Sequence, residues 1–233
     1  MKIRGIHIRG KNALRDVSLE FMDDESRILQ QCLIQGSNGS GKTFIFESIA
    51  RGWSSSVLER SSNECGLVAD MVRVDYELPG EIASVHIRSG RLERSSSLAK
   101  HADVAVTESG GHVRSGVVFY DLKRLRLVEQ TLDGGSSLPT GVQSVLPILH
   151  DLHVRDITDS VVMIDDWDCG LDSSSCAEFY KHLVRHTHAK NNQLLLSSSA
   201  EPPGYIPARN VKRLKDGCNV ISDALALIGK VHS

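Results

Sequence analysis

Gly36-Ser37-Asn38-Gly39-Ser40-Gly41-Lys42-Thr43 decides how this chain is read. It follows the apolar run Ile28 to Gln35 and precedes the helix-like pattern Phe44, Ile45, Phe46, Ile49. The spacing fits G-x-x-x-x-G-K-[ST], a phosphate-binding loop set between a strand and a helix. The chemistry explains the composition. Gly36, Gly39 and Gly41 let the main chain wrap closely around phosphate oxygens, with N–H groups turned inward. The main chain of Ser37, Asn38 and Ser40 completes the wall, and the helix opening near Lys42 adds the positive end of its dipole. Lys42 is then placed to reach the terminal phosphates, and the Thr43 hydroxyl to complete the shell of a Mg²⁺ ion. The stretch implies a bound nucleoside triphosphate.

Bulk properties set the frame around that loop. With 233 residues, 24% of them charged, and a net charge of −2, the chain suits one α/β domain over residues 1–233. No general basic excess advertises nucleic acid; Lys123, Arg124 and Arg126 form a local cluster able to meet a phosphate backbone. The apolar runs are too short to span a membrane, and Met1-Lys2-Ile3-Arg4-Gly5 lacks the apolar core of a signal peptide. Five cysteines without a C-x-x-C pair read as reduced thiols, and a cytoplasmic location is expected.

Periodicity orders the rest. Ile3, Ile6 and Ile8, then Val17, Leu19 and Phe21, predict strands ahead of the loop, and a helix is predicted from Thr43 to about Trp53. Residues 67–120 turn β-like, with breaks at Pro79-Gly80, Ser89-Gly90 and Gly110-Gly111, and predict an antiparallel lobe. A helix from Val142 to about Leu152, a buried strand Val161 to Ile164, a helix of about Ser173 to Thr187, a strand Leu194 to Leu196 and a strand-turn segment Val211 to Ile221 follow. The predicted class is an α/β fold with a mostly parallel core sheet plus an antiparallel β lobe. Val161 to Ile164 ends in Asp165-Asp166, which a buried parallel strand delivers beside the phosphate loop. Asp165 is expected to hold Mg²⁺ with Thr43, and Asp166 to polarise an attacking water.

Together these motifs resemble the ABC-type P-loop ATPase heads, including the group that contains SMC and RecF proteins. Gly36 to Thr43 is similar to their G-x-N-G-x-G-K-[ST] loop. Asp165-Asp166-Trp167-Asp168-Cys169-Gly170-Leu171-Asp172 is similar to their D-E-P-T-x-x-L-D segment. Leu138-Pro139-Thr140-Gly141-Val142-Gln143 stands where they keep a signature loop, within a signature-helix region of about 136–153. Gln193 to Ser199 is similar to the strand that ends in their switch histidine, and Val211 to Gly217 to their closing hairpin. The resemblance implies ATP and Mg²⁺ as ligands. It implies a homodimer on ATP binding, with Thr140, Gly141 and Asp172 joining Ser199 and the phosphate loop around the nucleotide. It also implies a separately encoded effector, in DNA maintenance or antiphage defence, with nucleic acid as a possible further partner. No coiled-coil arm fits between Tyr120 and Leu138, so a compact head is expected.

The departures from the family pattern point to slow hydrolysis. Asp166 stands where the family has Glu, Ser199 where it has His, and no clear Q-loop glutamine falls between Phe44 and Tyr120. A displacement near 1 Å at a catalytic group costs on the order of a hundredfold in rate. Three other readings use the same residues: the ATPase subunit of a membrane transporter, a small-molecule kinase, and an ATP-sensing scaffold that scarcely turns over. Elsewhere, His182 and His186 have the i, i+4 spacing of metal ligands, but the sequence offers no evident third ligand, and Lys181 and Arg185 favour a solvated face. His150 and His153 flank Asp151 and read as surface.

Overall fold

The computed structural model describes residues 1–10, 16–53, 69–88, 91–95, 113–114, 116–121 and 140–214. Its strands are β1 (Lys2–Gly10), β2 (Val17–Glu20), β3 (Gln31–Gln35), β4 (Ala69–Leu78), β5 (Glu81–Arg88), β6 (Arg91–Arg94), β7 (Val113–Arg114) and β8 (Val117–Asp121). β9 (Ile157–Thr158), β10 (Val161–Asp165), β11 (Gln193–Ser198) and β12 (Val211–Arg213) complete them. The helices are α1 (Lys42–Trp53), α2 (Thr140–Val154) and α3 (Ser173–Ala189). Among the described residues, no helix is long and apolar enough to cross a membrane.

Two sheets carry the architecture. A parallel sheet runs in the order β12-β3-β11-β10-β8, and an antiparallel sheet in the order β2-β1-β4-β5-β6. The expected parallel core and antiparallel lobe are both present. The lobe, however, does not reach Tyr120: Val117–Asp121 pairs parallel with Val161–Asp165 at the edge of the core sheet. Its side chains have to serve the core because β10 offers an unpaired parallel edge there. The first two strands go the other way and close the antiparallel sheet. The expected strand at 104–107, the basic cluster at 123–126 and the closing segment beyond 214 lie outside the described residues.

Strict alternation explains why the parallel strands read as continuous apolar runs. Val161 and Met163 face the core shared with α1 and the antiparallel sheet, whereas Val162 and Ile164 face the core shared with α2 and α3. Leu195 divides from Leu194 and Leu196 in the same way. A sheet covered on both faces buries every side chain, so polar alternation disappears from its sequence. α1 seals one face through Ile45, Phe46, Ile49 and Trp53, with Phe46 edge-on to Phe119 at 6.0 Å between ring centres. Burial pushes the Cys32 thiol up to about 12, so it stays an inert core side chain.

Gln193 ties the two sheets together. Its buried side chain accepts a hydrogen bond from the Ile3 N–H at 2.6 Å and donates to the Ile3 and Leu29 carbonyls, each at 3.1 Å. One amide thus satisfies main-chain groups that the sheet junction leaves unpaired.

Tyr76 makes the matching contact under α1, donating its hydroxyl to the Ile49 carbonyl at 2.7 Å. Gly52 is required beside it, because a Cβ there would stand 2.7 Å from the Tyr76 oxygen. Gly52→Ala is therefore expected to displace the hydroxyl and lower unfolding free energy by about 1–3 kcal/mol. Urea denaturation checks this; an unchanged midpoint would show that Tyr76 yields without cost.

Candidate nucleotide site

The phosphate loop leaves β3 and enters α1 at the C-terminal edge of the parallel sheet, where open α/β sheets bind ligands. Gly39 and Gly41 have φ of +80° and +94°, conformations that side-chain-bearing residues rarely adopt. Gly36 is needed for space: a Cβ there would fall 2.6 Å from Ser40 Oγ and 3.1 Å from Leu214 Cβ. Ser37, Asn38 and Gly39 are exposed around the rim, and Ser40 and Lys42 are buried. Lys42 Nζ donates to the Gly36 carbonyl at 2.7 Å and the Ser37 carbonyl at 3.0 Å, so the ammonium already sits inside the loop.

The acid half of the site meets it across the sheet. Asp165 is only 2% exposed at the end of β10, and its carboxylate accepts the Thr43 hydroxyl at 2.5 Å. These two residues come together across 122 positions of sequence. The available groups are hard oxygen donors beside a cradle that a Cβ would fill, and Ser40 Oγ is buried with no hydrogen-bond partner. That donor set suits a magnesium-bound triphosphate.

Ser197 is the residue that sequence reasoning missed. It sits on β11, between β3 and β10 in the sheet, and donates its hydroxyl to Asp165. The same oxygen accepts the Asp166 N–H at 2.9 Å. Asp166 has φ of +49°, an uncommon conformation for a residue with a Cβ, and is 6% exposed. One buried hydroxyl therefore bonds the Asp165 carboxylate and the Asp166 main chain. The adjacent Ser198 donates to Asp168 at 2.7 Å and offers its carbonyl to the Gly36 N–H at 3.2 Å. Ser199, the expected switch position, is exposed just past the end of β11. The only advance signal was polarity: serines at the end of an otherwise apolar strand.

Trp167 anchors the loop after the two acids. It is fully buried, stacked on Phe179 with ring centres 6.4 Å apart and tilted against Tyr180 at 5.9 Å. Asp172 then caps α3, accepting the Ser174 and Ser175 N–H groups, each at 2.9 Å, and the Ser175 hydroxyl at 2.7 Å. These bonds, led by the Ser175 N–H, hold its carboxyl below the usual Asp range. Thr140 opens α2, two residues earlier than predicted, and Gly141 packs against the loop: a Cβ there would meet the Gly170 carbonyl and Leu171, each at 3.1 Å. Gly141, Leu171 and Asp172 also line a 780 Å³ cleft between α2 and α3. Thus Gly141 lies against the loop after Asp166, while Lys42, Thr43 and Asp165 meet at the phosphate loop.

A phosphate loop between the second strand of a β12-β3-β11-β10-β8 sheet and its helix, with paired acids two strands away, defines a P-loop nucleotide-binding fold. Its antiparallel sheet adds the lobe expected beside the parallel core. No protein-family model matches the chain, and no curated protein matches it. Among solved structures, the chain is similar to an SMC head domain from Thermotoga maritima, at 16% identity and a TM-score of 0.49, over 86% of this chain and 90% of that one. It is similar to cbiO1 from Clostridium perfringens, part of an ABC transporter complex, at 13% identity and 0.48, over 99% and 95%. A dimeric ATP-binding cassette in a post-hydrolysis state with ADP and Pi is similar at 14% identity and 0.46, over 93% and 94%. All three scores lie below 0.5, so the assignment of the fold rests on the strand order and the loop.

Two outcomes test the local geometry. Ser197→Ala removes the hydroxyl that serves Asp165 and the Asp166 N–H, and is expected to cost about 1–3 kcal/mol of stability because a buried N–H loses its partner. Chemical denaturation measures it, and Ser197→Thr should recover most of the loss. Asp172 has a folded pKa below its unfolded value, so its cap is fully present above the ordinary Asp pKa, about 4, and is lost as pH falls through the lowered value. Asp172→Ala should therefore lower the melting temperature at pH 7, and the gap from wild type should close in acid.

Proposed function

We propose that the chain is an ATP-binding switch with slow hydrolysis, active as a dimer that sandwiches nucleotide and controls a separately encoded effector. The observation that carries this reading is the joining of both halves of a nucleotide site: Lys42 inside its loop and Thr43 on the buried Asp165. When bound, Mg²⁺ supplies positive charge to the phosphate oxygens beside Thr43 and Asp165. Lys42 and the loop N–H groups bind and orient the triphosphate. Asp166 orients the water or accepts its proton. Its shorter side chain and fixed main-chain direction support a low rate. The exposed Ser199 adds a hydroxyl where a histidine serves the family.

Thr140 and Gly141 are the residues proposed to meet the nucleotide of the second copy. Support comes from their place at the start of α2, an anion-favouring helix end, beside the Gly170–Leu171 turn. An effector in DNA maintenance or antiphage defence, acting in the cytoplasm, belongs to the same proposal and follows from the family resemblance alone. The altered Asp166 and Ser199 positions also favour a second reading, an ATP-sensing scaffold without turnover.

Light scattering and phosphate release test these readings together. Wild type is expected to pass from monomer to dimer on Mg-ATP, and Lys42→Ala to remain monomeric. Asp166→Asn should dimerise yet release phosphate about a hundredfold more slowly. Dimerisation by wild type without measurable phosphate release would select the scaffold. Equal behaviour of wild type and Lys42→Ala would remove the switch altogether. A tagged-protein pull-down with Mg-ATP identifies the effector, and recovery of an integral membrane protein would favour a transporter subunit.

A further inference from the structure

Ser197 bonds three consecutive residues of the acid strand and the turn that follows it. Its hydroxyl donates to Asp165 Oδ1 and accepts the Asp166 N–H at 2.9 Å, and its carbonyl accepts the Trp167 N–H at 3.1 Å. The residue is fully buried near the end of β11. A hydroxyl has one proton to give, and the Asp166 N–H is itself a donor, so that proton goes to the Asp165 carboxylate. The other Asp165 oxygen takes the Thr43 hydroxyl at 2.5 Å. Both oxygens of this acid are therefore held.

The other two bonds bear on Asp166. They fall on the peptides either side of the Asp166 Cα, through the N–H groups of Asp166 and Trp167. That Cα has φ of +49°. A left-handed residue with a Cβ persists only where its surroundings hold it. Here one residue ties both flanking peptides, and they fix the direction in which the Asp166 side chain leaves the main chain. Aspartate has one methylene less than glutamate with which to adjust, so it depends on that direction more heavily.

We propose that Ser197 is a positioning residue for turnover, acting through Asp166 rather than on the nucleotide. The inference rests on the ATP-hydrolysing reading above. In that step the water oxygen bonds to the terminal phosphorus and the phosphorus–oxygen bond to ADP breaks. The water proton passes to the Asp166 carboxylate, leaving ADP and inorganic phosphate. Ser197 contributes no atom to the exchange; it keeps the accepting carboxylate in place. Ser199, at the position of the family's switch histidine, is exposed past the strand end. The polar contact that bears on the acids lies two residues earlier, inside the strand.

Ser48 provides the contrast. It is also buried, on α1, yet its hydroxyl has no hydrogen-bond partner. Removing either hydroxyl empties a similar space, but only one removal releases an acid.

Steady-state phosphate release and binding of a fluorescent ATP analogue, measured side by side, provide the test. Ser197→Ala is expected to lower kcat about ten- to a hundredfold, while nucleotide affinity stays within about threefold. Ser197→Thr keeps the hydroxyl and should restore most of kcat, and Ser48→Ala should match wild type. Amide hydrogen exchange without nucleotide is a second readout: the Asp166 N–H should exchange faster in Ser197→Ala. Circular dichroism establishes that each variant is folded. If Ser197→Ala unfolds, Ser197→Cys carries the test, because its thiol fills the space and hydrogen-bonds only weakly. Wild-type turnover with an equal kcat in Ser197→Ala, unchanged Asp166 exchange, or parallel losses of affinity and kcat overturns the proposal and leaves the ATPase reading standing. Absence of phosphate release by wild type would instead remove hydrolysis from that reading, and this proposal with it.

Discussion

One buried carboxylate organises this molecule. Asp165 ends β10 with almost no exposure, and a charge so placed is tolerated only when hydrogen bonds replace water. Thr43 from α1 and Ser197 from β11 supply them. The first donor sits in the turn that follows the phosphate loop; the second also holds the main chain of Asp166. Loop, acid pair and intervening strand are thereby referenced to one side chain. The Gly36 N–H on the Ser198 carbonyl adds a main-chain tie at the same level.

That arrangement depends on a sheet rigid enough to deliver strand ends in register. Both of its faces are covered, one by α1 and the antiparallel sheet, the other by α2 and α3. Interiors packed at crystal-like density resist small displacements, so the ends of β3, β11 and β10 hold fixed relative positions. Gln193 extends this rigidity to the antiparallel sheet by pairing with main-chain groups of Ile3 and Leu29. Trp167 does the corresponding work on the other face, seating the turn after Asp166 against Phe179 and Tyr180. A large aromatic in that turn makes the path from the acids to Asp172 part of the core.

The α2–α3 pair reaches the loop after the acids at one end. Gly141 and Asp172 line the cleft there together with Gly170 and Leu171. A 780 Å³ cleft lies between the helices, and Pro147 inside α2 removes one hydrogen bond from that helix.

Much of this was legible in the chain because it is local. Glycines with required conformations, a lysine and a threonine at fixed offsets, and an apolar run ending in two aspartates specify a phosphate loop and its acid strand wherever they occur. The helices came out within a few residues for the same reason, since periodicity and the Asp172 cap are properties of neighbouring residues. Val117–Asp121 was assigned to the wrong sheet because an apolar strand carries no mark of its partner; β10 alone made it parallel. Ser197 and Ser198 were passed over for a related reason. Serine is common, and it acquires chemical meaning only from what the fold sets beside it. The sequence by itself determined a loop that binds phosphate and a strand that brings acids to it, because steric and hydrogen-bonding rules act over a few residues. Tertiary structure alone decided which hydroxyls meet those acids and which sheet each strand joins, because those contacts are fixed by packing between segments far apart in the chain.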